Sequence, residues 1–173
     1  MYEKERDFKK MCSFYVSDVH LITMLLPYIA AKMEERKAVY TLLEDNLKPI
    51  VKKLLAKTNL NETLKKEIMN IHWEQKIRYK YKDFEVEMKE IKAEEINFIL
   101  MGKEQYRQIY HSNIQKYFEK QTVKVNIIDC YEVLEFNQNI QEILDSHDKI
   151  LNTSGEKEIT EVFENYQKKK IVE

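Results

Sequence analysis

The chain has 173 residues, 29 of them Lys or Arg and 30 Asp or Glu, for a formal net charge of −1, and it holds only two glycines and two prolines. That length suits one domain able to bury most of its apolar surface, and the near-zero charge leaves no global field to draw it onto nucleic acid or an anionic membrane. Cys12 and Cys130 stand far apart with no CxxC spacing, which reads as two reduced, buried thiols of a cytoplasmic protein rather than a disulfide scaffold or zinc module.

Residues 1–10 form a charged N-terminal segment without the apolar stretch of a signal peptide. The longest apolar region, Val19 to Ala31, is broken by His20, Thr23 and Pro27 and is too short to cross a bilayer. Cys12 to Val16 predicts a first strand. After it, Val19, Ile22, Leu26, Ile29 and Met33 step at helical spacing, with Ser17 or Asp18 as N-cap. Pro27 predicts a kink or a break in that helix. A second strand, Ala38 to Leu43, ends in Glu44-Asp45-Asn46, and Asn46 caps a helix that accepts Pro49 in its first turn and runs to about Lys57.

Asn61 predicts the cap of a short helical piece, and Ile68 to Trp73 reads as a third strand. Lys76 to Lys82 alternates basic and apolar residues, and Phe84, Met88 and Ile91 mark a helix. Ile96 to Met101, closed by Gly102, is a fourth strand. A helix follows with Tyr106, Ile109, Tyr110, Ile114 and Tyr117 on one face. Val123 to Ile128 is a fifth strand. Two helices, about Asn137 to Leu151 and Glu156 to Gln167, complete the chain, separated by Asn152-Thr-Ser-Gly155, with Thr153 and Glu156 in a capping-box pattern.

This order predicts a single α/β domain over residues 1–173. It is a three-layer sandwich around a mostly parallel five-stranded sheet, a degenerate P-loop or Rossmann-like form. A helical pair at 137–168 would pack on the domain or on a partner subunit. Ligands of such sheets bind beyond the carboxyl ends of the strands, which nominates Ser17, Asp18, His20, Glu44, Asp45, His72, Trp73, Gly102, Asp129 and Tyr131. Ser17, Asp18 and Asn46 also serve as ordinary helix caps. Asp129 is the harder residue to dismiss, because it ends a strongly apolar run with no periodic helix directly after it.

His72, Glu74, Asp129 and Cys130 lack the i, i+4 or CxxC spacing of a metal site, so no metal is expected. Cys130 reads as a small buried hydrophobe rather than a nucleophile. GxxxxGK[ST] and GxGxxG both need glycines at a strand-to-helix turn, so that amides approach phosphate oxygens unobstructed. The first such turn here is Tyr15-Val-Ser-Asp-Val-His20. ATPase, GTPase and ordinary NAD-dependent dehydrogenase activities are therefore disfavoured, and no cofactor is expected. The stripe from Lys76 to Lys82, with Tyr79 and Tyr81 interleaved, has the elements of a nucleic-acid contact, but an edge strand guarded by lysines or a solvated loop is the preferred reading.

Phe14 to Ile29, Phe-Tyr-Val-Ser-Asp-Val-His-Leu-Ile-Thr-Met-Leu-Leu-Pro-Tyr-Ile, followed by Lys37-Ala-Val-Tyr-Thr-Leu-Leu-Glu44, resembles the opening of the MEDS sensory domains of methanogen and methylotroph regulators. The resemblance covers the first third of the chain. It implies a fold similar to RecA and circadian-clock type ATPase domains that has lost the phosphate-binding loop. The expected function is that of a non-catalytic sensory or regulatory module, cytoplasmic, binding a small ligand or protein partner at the carboxyl rim and forming a homodimer. The alternative is a small hydrolase or transferase acting on a nucleotide-like or small polar substrate through Asp18, Glu44 and Asp129, since paired carboxylates can supply acid–base chemistry or hold Mg²⁺.

Overall fold

The run Glu95-Ile-Asn-Phe-Ile-Leu-Met101 is buried at every position, as a central strand covered on both faces requires. It lies inside a six-stranded sheet of a computed structural model that describes residues 8–76, 80–133 and 140–168. In chain order the elements are β1 (Phe8–Tyr15), α1 (Asp18–Glu34), β2 (Ala38–Leu43), α2 (Lys48–Leu55), α3 (Glu62–Met69), α4 (Tyr81–Glu90), β3 (Glu95–Met101), α5 (Glu104–Phe118), β4 (Lys124–Glu132), α6 (Ile140–Asp145), β5 (Lys149–Asn152), β6 (Gly155–Lys157) and α7 (Ile159–Val162). The sheet order is β2-β3-β4-β1-β5-β6. All pairings are parallel except the hairpin β5–β6.

Alternation along the strands sends two side-chain sets to opposite faces. On one face Met11, Tyr15, Ile99, Met101, Ile128 and Cys130 meet Leu21, Ile22, Leu25 and Ile29 of α1, with Val51 and Leu55 of α2 and Leu64 and Ile68 of α3 behind them. On the other, Phe98, Leu100, Val125 and Ile127 meet Phe84 and Met88 of α4 and Tyr110, Ile114 and Phe118 of α5. A third cluster joins Cys12, Tyr131 and Ile150 of the sheet to Ile143 and Leu144 of α6 and Ile159 of α7. The three-layer α/β architecture read from the sequence is present, with six strands rather than five.

The expected strand Ile68 to Trp73 is instead the end of α3 and the loop after it. Leu64 and Ile68 are buried at i, i+4 spacing, and Trp73 turns back into the core, its indole N–H donating to the Ile68 carbonyl at 2.8 Å. A short apolar run does not by itself distinguish the end of a helix from a strand. The other two strands lie where helices were expected. Lys149-Ile-Leu-Asn pairs with the free edge of β1 at Met11 and Cys12. The Asn152–Gly155 turn then reverses the chain, with Gly155 at φ 101° and the Ser154 amide donating to Asn152 Oδ1. The capping box expected from Thr153 and Glu156 is replaced by this hairpin, and α7 is one turn long. Of the helix expected from Asn137, residues 137–139 lie outside the described residues, and α6 begins at Ile140.

Pro27 does not divide α1, which runs unbroken from Asp18 to Glu34. The proline is exposed, so the Thr23 carbonyl it leaves without an intrahelical donor faces water. Asn61 caps α3 through Leu64 N–H at 2.8 Å, and Asn46 Oδ1 accepts from Lys48 N–H at the start of α2. Within the Lys76 to Lys82 stripe, Ile77, Arg78 and Tyr79 lie outside the described residues. Lys76 donates its amide to the Leu43 carbonyl of the edge strand β2 and pairs with Glu87 at 3.0 Å. Residues 1–7 are likewise outside, while Phe8, Lys9 and Lys10 already belong to β1. No helix among the described residues is long and apolar enough to cross a membrane.

Candidate functional site

β1 and β4 are neighbours, yet β1 leads into α1 on one face of the sheet and β4 leads towards α6 on the other. Their carboxyl ends thus form a switch point, the place where an open α/β sheet opens a crevice. At that point the N-terminus of α1 is capped. Ser17 Oγ accepts the His20 N–H at 3.1 Å, and His20 Nδ1 accepts the Val16 N–H at 3.1 Å. Asp18 adds a carboxylate to the first turn. One amide of the first turn, that of His20, and the Val16 amide before the cap are thus taken by the chain's own side chains, with the Asp18 carboxylate beside them.

The rim around this turn is acidic. Burial and the charge of Asp45 raise the Asp18 carboxyl above its ordinary value. Burial, with the charges of Glu132, Asp18 and Asp45 adding to it, pushes the Tyr15 hydroxyl far up. Glu44 folds against Gly102, where a Cβ would stand 2.6 Å from Glu44 Cγ, and Gly102 adopts φ 154°. The enclosed Glu44 Oε1 has no hydrogen-bond partner. Val16, Val19 and Val133 are exposed at or next to the same strand ends.

Beneath the rim, on the face covered by α5 and α6, Asp129 is the hub of a buried ionic cluster. His111 Nε2 lies 2.8 Å from both carboxylate oxygens, His147 Nε2 lies 2.7 Å from Oδ2, and Arg107 Nε lies 3.4 Å from Oδ1. Burial alone would raise the Asp129 carboxyl, but hydrogen bonds from His111 and His147, together with their charge, hold it far below the usual carboxylate range. The opposite nitrogen of His147, Nδ1, faces the Ile143 carbonyl. The Ser146 hydroxyl lies 3.1 Å from the same nitrogen, so both ring nitrogens of His147 have polar partners inside the fold. Arg107 spreads its guanidinium over Glu104 Oε2 at 3.0 Å, the Gly102 carbonyl at 3.1 Å and the Cys130 carbonyl at 2.8 Å, and lies 3.8 Å above the Tyr131 ring. It therefore ties the ends of β3 and β4 to α5. Burial pushes both the Cys12 and Cys130 thiols up to about 12, so neither is a thiolate nucleophile at neutral pH.

Of the residues nominated from the sequence, Ser17, Asp18, His20, Glu44, Asp45 and Gly102 come to the rim, with Ser17 serving as the cap of α1. Asp129 and Tyr131 instead join the cluster on the α5 and α6 face. His72 and Trp73 lie in the loop after α3. The His72 carbonyl accepts from the Thr41 hydroxyl, and Trp73 is a core residue. No group of three or more His, Cys, Asp or Glu among the described residues could hold a metal ion, so Asp18, Glu44 and Asp129 do not converge on one.

Arg107, His111 and His147 were not legible as partners of Asp129. In α5 the buried face is Arg107, Tyr110, Asn113, Ile114 and Phe118, while Ile109 is exposed. The apolar stripe read from Tyr106 to Tyr117 is therefore rotated about the axis, because an arginine takes a core position to meet the carboxylate. The i, i+4 spacing of Arg107 and His111 was the one available signal.

The chain matches no protein-family model, no curated protein and no solved structure.

Proposed function

We propose that this domain is a sensory or interaction module of the MEDS type that binds a small ligand or protein partner at the carboxyl rim between β1 and β4. The Ser17 cap and the Asp18 carboxylate in the first turn of α1, with Asp45 near it, carry the reading, because a cluster of carboxylates at the helix start disfavours an anion there. A ligand offering an ammonium or N–H group with an apolar body suits the rim. It would relieve the mutual repulsion of Asp18 and Asp45 and cover Val16, Val19 and Val133. The hydrolase or transferase alternative is less favoured, since its three carboxylates are divided between the rim and the opposite cluster. Cytoplasmic location and homodimerisation belong to the same proposal, with light scattering as the check on the latter.

Thermal denaturation with spermidine, aliphatic and aromatic amines, and Mg·ATP tests the binding reading. A ligand present at a hundredfold over its Kd stabilises by about 2.7 kcal/mol, or roughly 5–10 °C for a domain of this size. Asp18→Asn with Asp45→Asn should erase the shift given by amines while leaving the unliganded protein at least as stable. Stabilisation by Mg·ATP with no response to amines would sink the reading.

A further inference from the structure

The connection from β2 to β3 contains more than the crossing to α4. It first sends α2 and α3 onto the opposite face, against α1, as a helical hairpin. Charge is distributed unevenly on this hairpin. Between Lys48 and Asn70 stand Lys48, Lys52, Lys53, Lys57, Lys65 and Lys66 against Glu62 and Glu67, in a chain whose overall charge is −1. A cleft of about 580 Å³ opens between the two helices, its lining made of three lysines, Lys52, Lys65 and Lys66, one carboxylate, Glu62, and Leu55, Ala56, Met69 and Asn70. That volume falls within the range of small-molecule sites.

Lys52 and Lys66 are exposed, and their ammonium groups make no ion pair or hydrogen bond among the described residues. Lys65 is half-buried, 3.6 Å from a Glu62 that is 84 % exposed and free to swing away. Three lysines against one carboxylate thus line a concavity whose apolar lining is Leu55, Ala56 and Met69.

We propose that the α2–α3 cleft is a binding site for a small organic phosphate, a phosphate monoester carrying an apolar or aromatic body. The monoester brings close to two negative charges at neutral pH, matched to lysines that bind phosphate as point charges rather than through a glycine loop. The body lies on Leu55, Ala56 and Met69. A polynucleotide fits less well, because each helix has eight residues and spans only about 12 Å, and no aromatic residue lines the cleft for base stacking. An anionic membrane fits less well too, since none of the exposed large apolar side chains belongs to this hairpin. The site is separate from the rim, so the two readings stand or fall independently.

Isothermal titration calorimetry with phenyl phosphate, inorganic phosphate and phenol tests the proposal, with the fluorescence of Trp73, the sole tryptophan, as a second readout beside α3. Phenyl phosphate should bind at one site, at least tenfold tighter than inorganic phosphate, with phenol not binding. Lys52→Gln with Lys66→Gln, both exposed and so without effect on folding, should weaken it at least tenfold, whereas Asp18→Asn should leave it unchanged. Absence of saturable phenyl phosphate binding, equal affinity for inorganic phosphate, or unchanged affinity in the lysine variant would each overturn the proposal. So would tighter binding of a twenty-nucleotide RNA or of phosphatidylglycerol vesicles, which would reassign the lysines to a polyanion or a membrane.

Discussion

Replacing Asp129 by Asn removes the one negative charge shared by His147, His111 and Arg107 while keeping the side chain's size. Asp129 is 1 % exposed and His147 is 4 % exposed, so the ring of His147 and the Arg107 guanidinium lose a buried carboxylate and face a neutral amide instead. Arg107 fares better, since Glu104 and two carbonyls still hold it. Breaking a buried ion pair from one side costs about 3–5 kcal/mol. For a domain of this size that lowers the thermal midpoint by roughly 6–20 °C, a large part of a total stability of about 5–15 kcal/mol. Urea unfolding followed by circular dichroism at pH 7 measures the loss directly. The pH dependence supplies a second measure. Because the folded-state carboxyl lies below its unfolded value of about 3.9, its contribution is complete above that pH and is lost as pH falls through the folded value. The difference between parent and variant should therefore be constant from pH 7 to about 5 and shrink below about pH 4. Asp129→Leu combined with His147→Leu, which removes the carboxylate together with its most deeply buried partner and leaves Arg107 to Glu104 and two carbonyls, should cost less than Asp129→Asn alone. A loss under about 1 kcal/mol for Asp129→Asn, or a double variant worse than the single, would refute the cluster as an ionic core.

Gly102→Ala places a Cβ against the Glu44 side chain at φ 154°, and a loss of about 1–3 kcal/mol is expected. Glu44→Ala in the same chain should recover the steric share but not the backbone share, as chemical denaturation of the three proteins would reveal. Cys12 and Cys130 are buried, with thiols pushed up to about 12. Ellman's reagent should therefore leave both unmodified in the native protein at pH 8 and count two thiols in denaturant, and rapid native labelling would contradict the burial.

The alternating layout, the cap at Ser17, the cap at Asn61 and the position of the rim were legible in the sequence, because each depends on residues adjacent in the chain. Local period locates a strand or helix, and a cap needs only its own first turn. Short apolar runs were where this failed. Ile68 to Trp73 ends a helix because Leu64 and Ile68 share a face toward α1, and Lys149 to Asn152 is a strand because β1 offers it a free edge. Neither α1 nor β1 is near those residues in the chain, so their demand on them is invisible locally.

The scarcity of glycine was visible from sequence alone and disfavours a glycine-built amide cradle for phosphate; the structure adds that Ser17 caps the start of α1. Asp129 could be singled out in the sequence, but its meaning could not. Only the sheet order, which sets β4 beneath both α5 and α6, brings Arg107, His111 and His147 to one carboxylate. Local interactions are written in neighbouring letters, whereas a buried charge takes its partners from whichever elements the topology packs over it.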